Sequence, residues 1–170
     1  MILDILTAPH PILSTKAEPV RVFDAELSET LNNMLETMYH AHGIGLAANQ
    51  IGLLKRMIVI DVNQSEGERG TPIKLVNPVI RSCSDELSSY NEGCLSFPGQ
   101  YADVIRPKEV EIEYQDETGK AHTLAADDLL ATCIQHEIDH LDGIVFVDHI
   151  SRLKRDMIMR RLRKLQPVED

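Results

Sequence analysis

The chain has 170 residues, 43% of them hydrophobic, and 17 basic against 27 acidic side chains give it a net charge of −10. That length suits one domain with a substantial core, and no apolar run is long enough to span a membrane. Three widely spaced cysteines argue against a disulfide framework. Asp4, Lys16 and Glu18 interrupt any leader-like opening, so a cytoplasmic protein with no membrane association and no specific DNA binding is expected.

Taken in chain order, Asp24 to His42 reads as a helix, with Leu27, Leu31, Met34, Leu35 and Met38 on one side. Arg56 to Val62 is a β-branched run and predicts a strand, followed by a polar loop over residues 63–71. Ile73 to Ile80, Tyr101 to Val104 and Val110 to Tyr114 predict further strands, separated by Gly, Pro, Asn and Asp signals. Between them, NEGCLSFPG at residues 91–99 is a short turn-rich element bracketed by Gly93 and Pro98-Gly99. Leu129, Leu130, Cys133 and Ile134 give a second helix its apolar face. Asp127 or Asp128 stands at its N-cap, and Gly143 stops it.

Residues 151–166 (SRLKRDMIMRRLRKLQ) hold seven bases and one acid, a local charge of +6 on an otherwise acidic chain. Ile150, Leu153, Met157, Ile158, Leu162 and Leu165 recur at helical spacing, so this is a basic amphipathic helix. Its apolar residues would seal the core, and its charged face would be solvated or dock on an anionic surface. No repeat or linker divides the chain. Residues 1–150 form the body, and residues 151–170 form a helix and tail of the same domain. The expected fold is α+β: short, mostly antiparallel strands around a central motif helix, with a helix at each end.

The chemistry concentrates in QHEIDHLDG at residues 135–143. A spacing of four residues stacks His136 and His140 on one helix face, where both can bind one metal ion, and Glu137 beside the first can reach a water there. A third ligand is missing downstream. Phe146 occupies one position where a ligand would be sought, and residues 160–164 are basic or apolar. Cys133 lies two turns from His140, roughly 10 Å along the axis. The best candidate is upstream: Cys94, a thiolate ligand that would leave a fourth position open.

Three segments together, GIGLAANQ (43–50), EGCLS (92–96) and QHEIDHLDG (135–143), make the chain resemble the peptide deformylases over roughly residues 1–150. The resemblance implies a hydrolase that removes the N-formyl group from the formyl-methionine of nascent polypeptides and releases formate. Cys94, His136 and His140 would be its metal ligands. The ion would be Fe2+ natively, with Zn2+, Ni2+ or Co2+ compatible by ligand type. Glu137 would be the general base, while the Gln50 amide and the backbone N–H of Leu95 would donate to an oxyanion. Leu129, Cys133 and Ile44 would line an apolar methionine pocket, and Gly43 and Gly45 would let an extended peptide approach. Glu92 and Arg106 would brace the cysteine loop, and Tyr101 stands where many relatives carry a basic residue. In some bacterial deformylases the C-terminal helix contacts the ribosome, a partner this implies for the basic helix. The competing readings are a zinc endopeptidase and a non-catalytic ribosome-associated module.

Overall fold

Strand β2 (Met57–Ile60) is buried along its whole length, and its alternation shows why. Ile58 and Ile60 point into one apolar cluster and Met57 and Val59 into another. The run therefore lies inside a sheet covered on both faces, and its uninterrupted apolar character follows from that position. The computed structural model describes residues 1–165, and within them the fold is α+β as expected.

A five-stranded antiparallel sheet has the order β1 (Gly45–Ala47), β2, β3 (Ile73–Cys83), β6 (Glu109–Gln115) and β7 (Ala121–Asp127). Helix α1 (Ala25–His40) covers one face through Leu27, Leu31, Met34, Leu35 and Met38. Its first turn is capped by the Asp24 carboxylate, which accepts the N–H of Leu27 at 3.0 Å. Helix α2 (Asp128–Leu141) covers the other face through Ala131, Ile134, Ile138 and Leu141. Asp127 stands at the α2 N-cap, but its side chain makes no capping bond. At the far end Gly143 adopts φ +77, and a side chain there would lie 2.8 Å from the backbone of Ser14, so glycine terminates the helix as anticipated.

A separate hairpin, β4 (Leu87–Cys94) and β5 (Phe97–Pro107), turns at Leu95-Ser96 and packs on the opposite side of α2. Sandwiched between sheet and hairpin, α2 is buried at ten of its fourteen positions, polar ones included. A third apolar cluster joins the hairpin (Phe97, Val104) to the turn Phe146–His149 and to helix α3 (Arg152–Leu165).

Several local expectations change. Residues 101–104 are the middle of an eleven-residue strand that absorbs Pro98-Gly99, and β1, β4 and β7 were not anticipated. The first helix ends at His40 instead of His42. On α3 only Ile158 and Leu162 are buried, whereas Leu153 is 72% and Met157 43% exposed. Those two therefore do not seal the core. Gln166 and the tail assigned to this helix lie outside the described residues.

Candidate metal centre and its cavity

Cys94 ends β4 at the hairpin turn, and His136 and His140 stand one turn apart on α2 with their rings 5.0 Å apart. The helix and the hairpin meet here, so one sulfur and two ring nitrogens fall within 4.8 Å of one another. Sγ of Cys94 is 3.2 Å from Nε2 of His140. A borderline ion bonded at roughly 2.0–2.3 Å to sulfur and nitrogen spans such a triangle. The ring orientations fit as well. Nδ1 of His136 donates to Oε1 of Glu92 at 2.9 Å, which leaves its Nε2 lone pair as the ligand. Burial pushes the His140 pKa well below its ordinary value, which favours the neutral, coordinating form.

A buried network supports the centre. Arg106 donates from Nε to Glu92 at 2.7 Å and from Nη2 at 3.0 Å, and its Nη1 reaches Asp139 at 2.8 Å. The pairing of Glu92 with Arg106 is thus present. Burial alone would raise the Glu92 pKa, but hydrogen bonds from His136 and Arg106 prevail and hold it low. Sequence reasoning missed Asp139 and His149, whose Nε2 lies 2.8 Å from the same Asp139 oxygen. Asp139 carried a signal: it is a carboxylate next to a ligand on a buried helix. His149 carried none.

Glu137 is buried, and its Oε1 has no hydrogen-bond partner among the described residues. Burial pushes this carboxyl up to about 7. It borders a cavity of about 360 Å³ together with Gln50, Cys94, Leu95 and His136. Gly43, Ile44 and Gly45 line one wall, and Leu129 and Cys133 from α2 line another. Burial, and after it the charge of Glu137, pushes the Cys133 thiol well up. Tyr90 and Asn91 of β4 line the cavity from the hairpin, unforeseen because β4 was not recognised as a strand, and Tyr101 of β5, 65% exposed, lines it beside them. Oε1 of Gln50 accepts the N–H of Ala47 at 2.9 Å, and its Nε2 lies 3.4 Å from Cys94 Sγ.

A helix-borne His-Glu-x-x-His set completed by a hairpin cysteine, in an α+β fold, defines a metal-dependent hydrolase. The sequence matches the family described as polypeptide deformylase over residues 2–156. It is 53% identical over 161 residues to the peptide deformylase of Bartonella tribocorum, covering 94% of this chain and 90% of that protein. Among solved structures it is similar to a peptide deformylase from Legionella pneumophila, with TM-score 0.89, 42% identity and coverage of 98% and 100% of the two chains. A peptide deformylase from Ehrlichia chaffeensis in complex with actinonin gives TM-score 0.91, 36% identity and coverage of 98% and 99%. The chain belongs to the polypeptide deformylase family, hydrolases that remove the N-formyl group from nascent peptides. Among the described residues no helix is long and apolar enough to cross a membrane.

Proposed function

We propose that this chain hydrolyses the N-formyl group of formyl-methionyl nascent peptides in the cavity between β1 and the β4–β5 turn. One observation carries the assignment of roles: a buried carboxylate, Glu137, with one oxygen unpartnered, stands on the cavity wall beside three ligand atoms. Cys94, His136 and His140 are the ligands. The chemistry supplied by a divalent ion in their grip is Lewis acidity, which makes water nucleophilic at neutral pH and polarises a carbonyl oxygen.

Glu137 takes the proton of the attacking water and hands it to the amine nitrogen as the C–N bond breaks. Formate leaves with the attacking oxygen, and the peptide keeps a free amino terminus. Gln50 Nε2 and the Leu95 N–H donate to the oxygen that gains charge at the tetrahedral stage. Strand β1 is the edge of its sheet, so an extended peptide can add alongside Gly43, Ile44 and Gly45. Leu129, Cys133 and Ile44 take the methionine side chain in an apolar, adaptable pocket.

The native ion is Fe2+, with Zn2+, Ni2+ and Co2+ suited to the same donor set; anaerobic purification with elemental analysis and turnover measurement tests this. The protein works in the cytoplasm, where α3 docks on the ribosome. The exposed Arg160, Arg161 and Arg163 beside the exposed Leu153, Met157 and Leu165 support that contact.

The purified protein should release formate from formyl-Met-Ala-Ser and leave internal peptide bonds intact. Internal cleavage without formate overturns the assignment.

A further inference from the structure

We propose that Ser96 is a positioning residue that fixes the side-chain amide of Gln50 for reaction, an inference that rests on the oxyanion role given to Gln50 above. Ser96 is 0% exposed and sits at the hairpin turn two residues after Cys94, while Gln50 belongs to the short turn Ala48–Ile51 next to the five-stranded sheet. The two side chains meet across the junction of hairpin and sheet, with Gln50 Nε2 donating to Ser96 Oγ at 3.0 Å.

Hydrogen-bond roles settle the direction of the amide. The N–H of Ala47 can only donate, so the Gln50 atom 2.9 Å away is the carbonyl oxygen Oε1. The NH2 group then faces the hairpin with two hydrogens. Ser96 Oγ takes one, and the other is directed to the side where Cys94 Sγ lies 3.4 Å away. That second hydrogen, donated here to Cys94 Sγ, is the one a carbonyl oxygen bound beside Cys94 would take over. The terminal torsion of a glutamine is broad. Held by Ala47 alone, the amide can swing; held at both ends, it presents the hydrogen in one place.

The backbone prepares the same pairing. One N-terminal stretch donates from Leu6 N–H to the carbonyl of Gln50 at 2.7 Å and from Ala8 N–H to the carbonyl of Ser96 at 2.8 Å. Residues 6–8 thereby tie the two turns together, and the Ser96 hydroxyl acts within a frame already set.

The test is a double-mutant cycle on the metal-loaded enzyme with Ser96→Ala, Gln50→Ala and the double variant. Bound metal, Tm, kcat and KM on formyl-Met-Ala-Ser are measured for each. Ser96→Ala should lose roughly fivefold in kcat, what one neutral hydrogen bond of about 1 kcal/mol converts to, at unchanged KM and unchanged metal. Gln50→Ala should lose on the order of 10²–10³, and the double variant should be no slower than Gln50→Ala. Independently, the Gln50 side-chain amide protons should be protected from solvent exchange in the parent protein and lose that protection in Ser96→Ala. Unchanged kcat in Ser96→Ala, or losses that multiply in the double variant, overturns the proposal while leaving the role of Gln50 intact. Full kcat in Gln50→Ala overturns the oxyanion role and the inference with it.

Discussion

Glu92 holds Nδ1 of His136 at 2.9 Å with one oxygen, and each of its oxygens also accepts a bond from Arg106. The carboxylate thereby selects which ring nitrogen is free to bind a metal and makes that nitrogen a better donor. Glu92→Gln keeps the shape and removes the charge. It should weaken metal affinity about 10–100-fold, read by competition with a chromogenic chelator. Unaltered affinity would show that His136 is oriented by packing against Phe146, whose ring centroid is 6.1 Å away.

The ligand assignment separates two cysteines that face one cavity. Cys94→Ala, His136→Ala and His140→Ala should each abolish stoichiometric metal in elemental analysis. Cys133→Ala should retain it, since its thiol points to the carbonyl of Ile44 at 3.8 Å. Full metal content in Cys94→Ala would mean that the third ligand lies elsewhere.

Two neighbouring glycines should differ sharply. A methyl group at Gly45 would lie 2.5 Å from Oε2 of Glu137 and 2.9 Å from Sγ of Cys133, whereas one at Gly43 would first meet the Leu95 side chain, 2.6 Å from Cδ1 and 3.1 Å from Cγ. Gly45→Ala should therefore displace the base and lower kcat on the order of 10²-fold with metal retained. Gly43→Ala should be far milder, because a leucine tip can move. Equal losses in steady-state kinetics would refute this distinction.

Glu137→Gln should keep the fold and the metal yet lower turnover about 10²–10⁴-fold, because no group remains to carry the proton. Near-normal formate release would exclude Glu137 as the base.

The histidine pair of the candidate metal centre was legible in the sequence because helical spacing alone places His136 and His140 together, whereas Cys94 needed the search for a third ligand. The covered strand β2 was legible as an unbroken apolar run. Strand β4 (LSSYNEGC) was not, since it forms half of a two-stranded hairpin whose outer face is solvated and whose polar residues mimic a loop. Strand β7 (AHTLAAD) hid because it is a sheet edge, little buried and rich in alanine, and β1 because glycine and alanine carry little strand preference. On α3 the period was visible, but which apolar residues dock depends on where the hairpin lies. Asp139 and His149 became neighbours only through the turn after α2.

The placement of α3 sets the right test of ribosome contact. Ile158 and Leu162 pack with Phe97 and Val104 of the hairpin that carries Cys94, so removing the helix would open the core. Each of Ile158→Ala and Leu162→Ala should cost about 2–5 kcal/mol in denaturant unfolding. Arg160, Arg161 and Arg163 are exposed. Their triple change to Gln should spare stability and formate release while reducing ribosome co-sedimentation at low salt. Unchanged co-sedimentation would show that this face does not dock.

Cys94 and His140 lie 46 residues apart in the chain and belong to different elements, the end of β4 and helix α2. An ion shared between them would bridge that loop in the folded protein alone, so its binding free energy would add to that of folding as well as serve chemistry. The protein's cohesion should therefore depend on free metal concentration, with stability rising with the logarithm of metal above its dissociation constant. Chelation should loosen the hairpin from helix α2 before the five-stranded sheet yields, so starvation for metal would mark the enzyme for unfolding and turnover as well as silence it.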